Sequence, residues 1–568
     1  MLIGRPVTVD ELRAMLLAYG QVKAVGVGHS WWAHQFCAGG ADDGENAINI
    51  VTTELEETLT QIKENVGPGA FQGTLPPPEF PIQVDEAART VTVAAGISQR
   101  MLLEYLSEYK YGSEPSGWTL PAFSYFIDQT IGGAVATGTH GSSFEHGSLS
   151  SQLTSLRMMV ANGTIVDLSP ETYPHLFNAA AVSVGRLGVI LDVTLKIVPD
   201  KQVERIRTEI DLLEFATDVK KVQDAYNAAM GAGDVAGAAQ VLEELEATQA
   251  LWHPIKDIVW RMDYLVLSSG GGASLSWEGQ GDSSVRIEYA TCGDGEYDDP
   301  VVPAGRTGNG SNDEAGNEPG DETIPSVFMQ VENENQVPLA LAITRNPGTW
   351  GNVYPNTMRG FFTPGEYRAS SAYITMSEVF NEQQANGDPY DQFEAAVPFD
   401  IAGDCLLGMN ELVYGSGPSN TSLKDGFRTP SLIRFVKEEP FYLSPSNGMP
   451  VMYVNLEDHL TINSGVPNDK FDAVVEYLLE RCDARLHWGK AGWPTHNPCF
   501  DGAEDYPETW CDFGCAVVEL DPEGKFRSAS DVWRWTASRD GQTVEDFASC
   551  CTSDGFRPAC SCEVSPVC

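Results

Sequence analysis

The sequence predicts a mixed α+β protein of at least two domains. Three observations carry this: 568 residues exceed what one compact core absorbs; strand and helix patterns alternate between residues 20 and 200; and a second strand-and-helix region follows at about 326–480. Hydrophobic residues at 42% are enough to build both cores.

In chain order, the first element is a helix signal at Thr8-Val9-Asp10-Glu11-Leu12-Arg13, where Thr8 caps and Glu11 closes a capping box. The opening carries no signal-peptide pattern, which leaves an upstream targeting segment open. Strands are expected at 22–26, 47–52, 90–94, 156–160, 164–168 and 189–198, and a helix at 98–109. Ala161-Asn162-Gly163-Thr164 reads as a hairpin turn. Residues 201–268 are helix-rich, with helices at 222–230 and 238–250 broken by Gly231, Gly233 and Gly237. From Ser268 to about Pro325 the composition turns to Gly, Asp, Glu, Asn and Ser, too polar to offset its ordering entropy, so a mobile insertion is expected. Strands at 432–436 and 452–456 and an amphipathic helix at 470–481 follow. The expected division is 1–200, 201–480, a returning segment at 481–540, and a cysteine-rich tail at 541–568.

Thirty-five basic against 80 acidic side chains give a net charge of −45. Such a field disfavours nucleic acid and anionic membranes as partners and suits small neutral or cationic ligands. No run of about 18 apolar residues exists, so no membrane span is expected. Nine of the 12 cysteines lie between Cys482 and Cys568, none in a Cys-x-x-Cys pair, which puts disulfides ahead of a metal site. With sequons at Asn162, Asn309 and Asn420, they point to a secretory, oxidising route.

Two runs carry chemistry. In Gly26-Val27-Gly28-His29-Ser30, after an apolar strand, glycines let the backbone approach a pyrophosphate and a ring nitrogen can attack an electrophilic carbon. It is not a dinucleotide fingerprint, because Trp31 occupies the third glycine position. A second run extends from Gln129 to Ser143 and includes Thr130, Gly132, Gly133, Thr137, Thr139, His140 and Gly141. Its small residues would let a backbone lie against a flat ring and a diphosphate; a close-packed buried turn is the structural alternative.

Together with Gly185-Arg186-Leu187-Gly188-Val189-Ile190 and the late His487-Trp488-Gly489-Lys490, these runs resemble the vanillyl-alcohol-oxidase superfamily, in its sugar-1,4-lactone and alditol oxidase branch. The resemblance implies a two-domain FAD-binding PCMH-type flavoprotein with a strand-and-helix substrate (cap) domain. It implies FAD joined covalently through His29, with Gly188, Val189, Ile190 and His487 also at the cofactor. Lys490 and Arg434 correspond to charged groups at the active site. Oxidation of a CH–OH group on a sugar lactone, polyol or related alcohol, with molecular oxygen as acceptor and hydrogen peroxide as product, is the activity implied.

The chain also departs from that pattern. Relatives carry Glu-x-Arg where this chain has Leu432-Ile433-Arg434, so the carboxylate is missing unless Glu394, Glu438 or Glu439 substitutes. The position that influences oxygen access falls at Ser124, and a substrate-side serine is replaced by Tyr125. A dehydrogenase with another electron acceptor, or a secreted flavin- or carbohydrate-binding protein without turnover, therefore stand as alternatives.

Overall fold

The computed structural model describes residues 2–38, 46–53, 55, 81–109, 117–124, 127, 129–267, 364–368, 391–415, 423–427, 431–458, 467–528 and 532–564. The insertion expected at 268–325, Asn309, Asn420 and Tyr125 lie outside the described residues.

The N-terminal part holds two sheets. A parallel sheet of β1 (Leu2–Gly4), β2 (Gln21–Val25) and β3 (Ala47–Val51) runs in the order β1-β3-β2. The helix Val9–Ala18 precedes β2 with the expected Thr8/Glu11 capping box. A second, antiparallel sheet contains β4 (Ile82–Asp85), β5 (Thr90–Ala94), β7 (Leu153–Met159), β8 (Ile165–Leu168) and β9 (Val189–Lys196), in the order β4-β5-β9-β7-β8. The short pair β6 (Trp118–Thr119) and β10 (Val198–Pro199) lies outside it. Gly163, at φ 79°, makes the β7–β8 turn that the Asn-Gly pair predicts.

The second part is built on one antiparallel sheet of eight strands. These are β11 (Gln202–Ile210), β12 (Gln249–His253), β13 (Ile258–Val266), β14 (Gly365–Arg368), β15 (Asp391–Pro398), β16 (Ser431–Val436), β17 (Val451–Asp458) and β18 (Arg485–Leu486). Their order is β14-β11-β13-β12-β16-β17-β15-β18. Phe393, Ala395, Ile433, Phe435, Val454 and Leu456 share a core with residues of the helices Leu212–Gly231, Ala402–Tyr414 and Asp469–Arg481. Because side chains alternate along a strand, the neighbouring positions of β15, β16 and β17 face the opposite way.

Two helix expectations are corrected. Residues 222–230 belong to the longer helix Leu212–Gly231, which begins at the Asp211 cap. The helix expected at 238–250 ends early: Val235–Leu242 is helical, a short turn spans Glu243–Leu245, and Gln249 already belongs to β12. Central pairing with β13 and β16 overrides the helix propensity there.

The C-terminal segment returns to the beginning of the chain. Val22 N–H donates to Lys525 O at 2.9 Å, and Lys525 Nζ reaches Leu16 O and Tyr19 O at 3.0 and 2.6 Å. The tail is stapled as expected: Cys511–Cys562 and Cys515–Cys551 hold it to the helix Trp510–Leu520, with Cys550–Cys560 inside it. Cys405–Cys482 joins two cap-domain helices.

Candidate active site

One large cleft, partly open to solvent, lies between the glycine-rich runs and the free face of the eight-stranded sheet. Gly26, Val27, Gly28, His29 and Ser30 line one side, at the turn that follows β2. Gly28 takes φ 72°, in the left-handed region that glycine tolerates. Trp31 N–H donates to Gly489 O at 2.9 Å, so this turn is tied to the late His-Trp-Gly-Lys run.

Thr130, Gly132, Gly133, Thr137, Thr139 and His140 contribute from the second run, with Gly188 and Ile190 at the start of β9. Val189 does not line the cleft; it packs with Val22, Ile48 and Met159 in a separate core, because strand alternation points it away from its neighbours. Gly141 does not line it either. A Cβ there would stand 2.4 Å from Phe123 O, so this glycine serves close backbone packing, the structural alternative for the run.

The opposite wall is the cap sheet, read at alternate positions: Gln392 and Glu394 on β15, Leu432 and Arg434 on β16, Asn455 and Glu457 on β17, Leu251 on β12. Leu251 pairs with Leu432, Leu432 with Asn455, and Asn455 with Glu394, so these four form one row across four strands. The carboxylate missing at Leu432 therefore stands in the same row, two strands away, at Glu394. Glu438 is exposed. Glu439 is buried, but it accepts hydrogen bonds from Ser148 N–H and from Ser151, Ser444 and Ser446 hydroxyls away from the cleft.

Arg434 is fixed by donating from Nη1 to His140 O at 2.9 Å and from Nη2 to Glu394 Oε1. His140 stacks on Tyr453, ring centres 3.6 Å apart. Its Nδ1 lies 2.9 Å from Gly141 O, an acceptor only, so Nδ1 carries the proton and the Nε2 lone pair faces Glu394 Oε1 at 3.4 Å. Burial, and then Arg434, lower the His140 pKa. His487 is held neutral too, pushed to about 3 mainly by burial. Gly489 N–H donates to its Nδ1 at 3.1 Å, leaving the proton on Nε2. Burial alone would raise the Glu394 carboxyl, but Arg434, His140 and Lys490 together hold it well below the usual carboxylate range.

Lys490 Nζ donates to Gln392 Oε1, and Gln392 Nε2 donates to Glu457 Oε1 at 3.2 Å. Ser124 lines the cleft with its hydroxyl engaged, donating to Gln129 Oε1 at 3.0 Å and accepting from Gln99 Nε2 at 3.2 Å. Gln392, Asn455, Glu457 and Ser183 are site residues that sequence reasoning did not single out. For Gln392, Asn455 and Glu457 the signal was polar residues at alternate positions of otherwise apolar strands; Ser183, in the turn before β9, carried no such signal. His140, Glu394 and His487 also have ligand atoms within 4.8 Å of one another, a spacing that a metal ion could use. Here the Arg434 guanidinium already engages the carboxylate oxygen that an ion would need.

The residues present fit a flavin dinucleotide. Ser183 Oγ lines the cleft and Arg434 Nε lies at it, both buried and without a hydrogen-bond partner. Gly185, at φ 63°, leaves open space where a Cβ would stand.

Comparison with known proteins agrees. Residues 81–169 match the family described as FAD binding domain, and residues 354–535 match the family D-arabinono-1,4-lactone oxidase. The D-arabinono-1,4-lactone oxidase of Eremothecium gossypii is 41% identical over 120 residues, 21% of either chain. The L-gulonolactone oxidase of Mus musculus is 36% identical over 145 residues, 25% of this chain and 29% of the relative. Each match thus spans less than a third of the relative's length. The crystal structure of cholesterol oxidase from B. sterolicum superimposes with a TM-score of 0.59 over 94% of this chain and 93% of that one, at 14% identity.

Residues 81–169 thus match an FAD-binding domain, and the chain shares the two-domain FAD-binding PCMH-type fold of cholesterol oxidase. The family matched at residues 354–535 and both sequence relatives carry the names of sugar-lactone oxidases.

Proposed function

We propose that this protein oxidises a CH–OH carbon of a sugar lactone or a related polyol, passing the electrons to molecular oxygen with release of hydrogen peroxide. The observation that carries the reading is the convergence of Arg434, Glu394, His140 and Lys490 on the cap side of the cleft, opposite the glycine-rich bed. Bound there, FAD supplies a two-electron acceptor for the substrate's hydride.

The chain's own residues bind, orient and take up the proton. The substrate hydroxyl donates to the buried, unpartnered Nε2 of His140, which receives the proton as the carbon gives up its hydride. Glu394, 3.4 Å away, stabilises the imidazolium so formed. Arg434 holds Glu394 in place and directs its unpartnered Nε–H at a substrate oxygen. Lys490 sets a positive charge on the sheet side, while Gln392, Asn455 and Glu457 bind the remaining hydroxyls. His29, on the opposite wall, is the covalent tether. The disulfides and the Asn162 sequon support a secretory route.

Oxygen consumption with peroxide formation on D-arabinono-1,4-lactone, L-gulono-1,4-lactone and a panel of alditols tests the activity. Glu394→Gln is expected to lower kcat by ~10²-fold. Failure of the whole panel, with oxygen and with a dye acceptor, would overturn the reading. A second reading, a dehydrogenase, is favoured by Ser124 in the cleft wall; reduction of the dye without oxygen uptake would select it. For the tether, yellow colour is expected to stay with acid-precipitated protein and to be released in His29→Ala. Release from the parent protein would refute covalent attachment.

A further inference from the structure

Six indoles form a continuous array that the proposed oxidation does not use. Trp488 lies between His487 and Gly489, both in the cleft wall, and Trp32 follows the Gly28-His29-Ser30 turn by two residues. Trp32 stacks on Trp493 with centroids 4.9 Å apart and planes 4° off parallel, and Trp493 stacks on Trp488 at 4.4 Å and 13°. From Trp488 the stack continues to Trp533 at 5.5 Å and 14°, and from Trp533 to Trp510 at 5.6 Å and 12°. Trp535 follows at 5.7 Å and is half-buried, beside the disulfide-stapled tail.

Packing alone explains a cluster of aromatic residues, but not a file of near-parallel indoles leading from a redox cleft to a partly exposed end. Aromatic pairs in cores generally adopt both edge-to-face and offset-stacked arrangements, whereas four successive contacts here lie within 14° of parallel. Indole is among the most easily oxidised side chains, and rings in van der Waals contact exchange an electron readily. Each ring from Trp488 onward is fixed through its N–H: Trp488 to Leu443 O, Trp533 to Gln35 Oε1, Trp510 to Arg534 O and Trp535 to Trp510 O, all at 2.7–3.1 Å. These oxygen acceptors stabilise a positive ring. Tyr506 also stacks on Trp488, but the Arg485 guanidinium sits 4.7 Å over its centre, which disfavours positive charge there and closes that branch.

We infer that the indole array conducts oxidising equivalents from the cleft to the surface at Trp535, so that a one-electron oxidant generated at the flavin is discharged by reductants in solution. The probe oxidant is the flavin excited by blue light. It gains one electron from Trp488; Trp533 refills Trp488, Trp510 refills Trp533 and Trp535 refills Trp510. The oxidised Trp535 loses its indole proton to water and regains an electron and a proton from a thiol, which ends as half of a disulfide. The route rests on the cofactor, which the domain content establishes, and not on the proposed lactone chemistry.

The experiment is blue-light illumination of the flavin-loaded full chain under argon with dithiothreitol and no lactone. Bleaching of the visible absorbance and the transient indole-radical band are followed. Trp533→Phe and Trp535→Phe keep an aromatic ring in place but remove the carrier. Photobleaching slowed ~10-fold or more in both, with lactone turnover unchanged, is the expected result. Equal bleaching rates in the parent and both variants, or a parent without an indole-radical signal, would overturn the proposal. Trp535→Tyr separates conduction from packing: partial recovery of the rate supports a redox role, whereas a rate equal to that of Trp535→Phe counts against it. Inactivity on lactones would affect only the functional reading.

Discussion

Glu394 shows how a single side chain keeps a role when its position moves. The row Leu251–Leu432–Asn455–Glu394 carries the carboxylate at its far end, where Arg434 still reaches it. Replacing Glu394 with Ala leaves Arg434 buried without its partner and is expected to destabilise the fold by about 3–5 kcal/mol in urea unfolding. A pH effect follows from His487 and His253, both pushed to about 3 chiefly by burial. Their folded-state pKa values are depressed, so between about 6.5 and 3 the unfolded chain binds more protons and stability falls as pH falls. A steeper loss of Tm below pH 6.5 is expected, and His253→Phe should make it shallower.

At the scale of elements, much of the site was legible, because glycine runs and strand alternation are local signals. The Gly26–Ser30 turn, most of the 129–143 run and the His487–Lys490 run converge as their residue types imply. What was not legible depended on pairing. No local signal gives the register that brings Glu394 beside Asn455, or the pairing that makes Gln249–His253 a strand. Gly141 was read as part of the flavin bed, although its chemistry is steric. Gly141→Ala, against the immovable Phe123 carbonyl, is expected to cost about 1–3 kcal/mol without changing bound flavin per folded protein, measured by thermal unfolding and visible absorbance. Removal of Cys405–Cys482, which closes a separation of 77 residues between two cap helices, should lower stability by about 2–5 kcal/mol in the Cys405→Ala/Cys482→Ala double variant.

Over the whole molecule, the charge of −45 stands in contrast to the cleft, where Arg434 and Lys490 offset Glu394 and Glu457. Among the described residues only Glu394, Glu439, Asp458, Asp501 and Asp521 are buried acids, so most of the acidic side chains there meet solvent, where like charges repel one another. Raising sodium chloride from about 10 to 500 mM should screen that repulsion and raise Tm; an unchanged or falling Tm would show that the acidic groups are individually compensated.

The return of Lys525 to β2 sets a timetable for biosynthesis. Val22 obtains its hydrogen bond from Lys525, and Gln21 reaches Arg527, so the first sheet has an edge that only the end of the chain can complete. At ~5–20 residues per second, a ribosome would need on the order of a minute to deliver those partners after β2 emerges. Throughout that interval the nascent N-terminal domain exposes an unfinished edge, and final closure of that half must await synthesis of Lys525 and Arg527. Premature termination anywhere before Lys525 would thus damage the first domain as surely as the last.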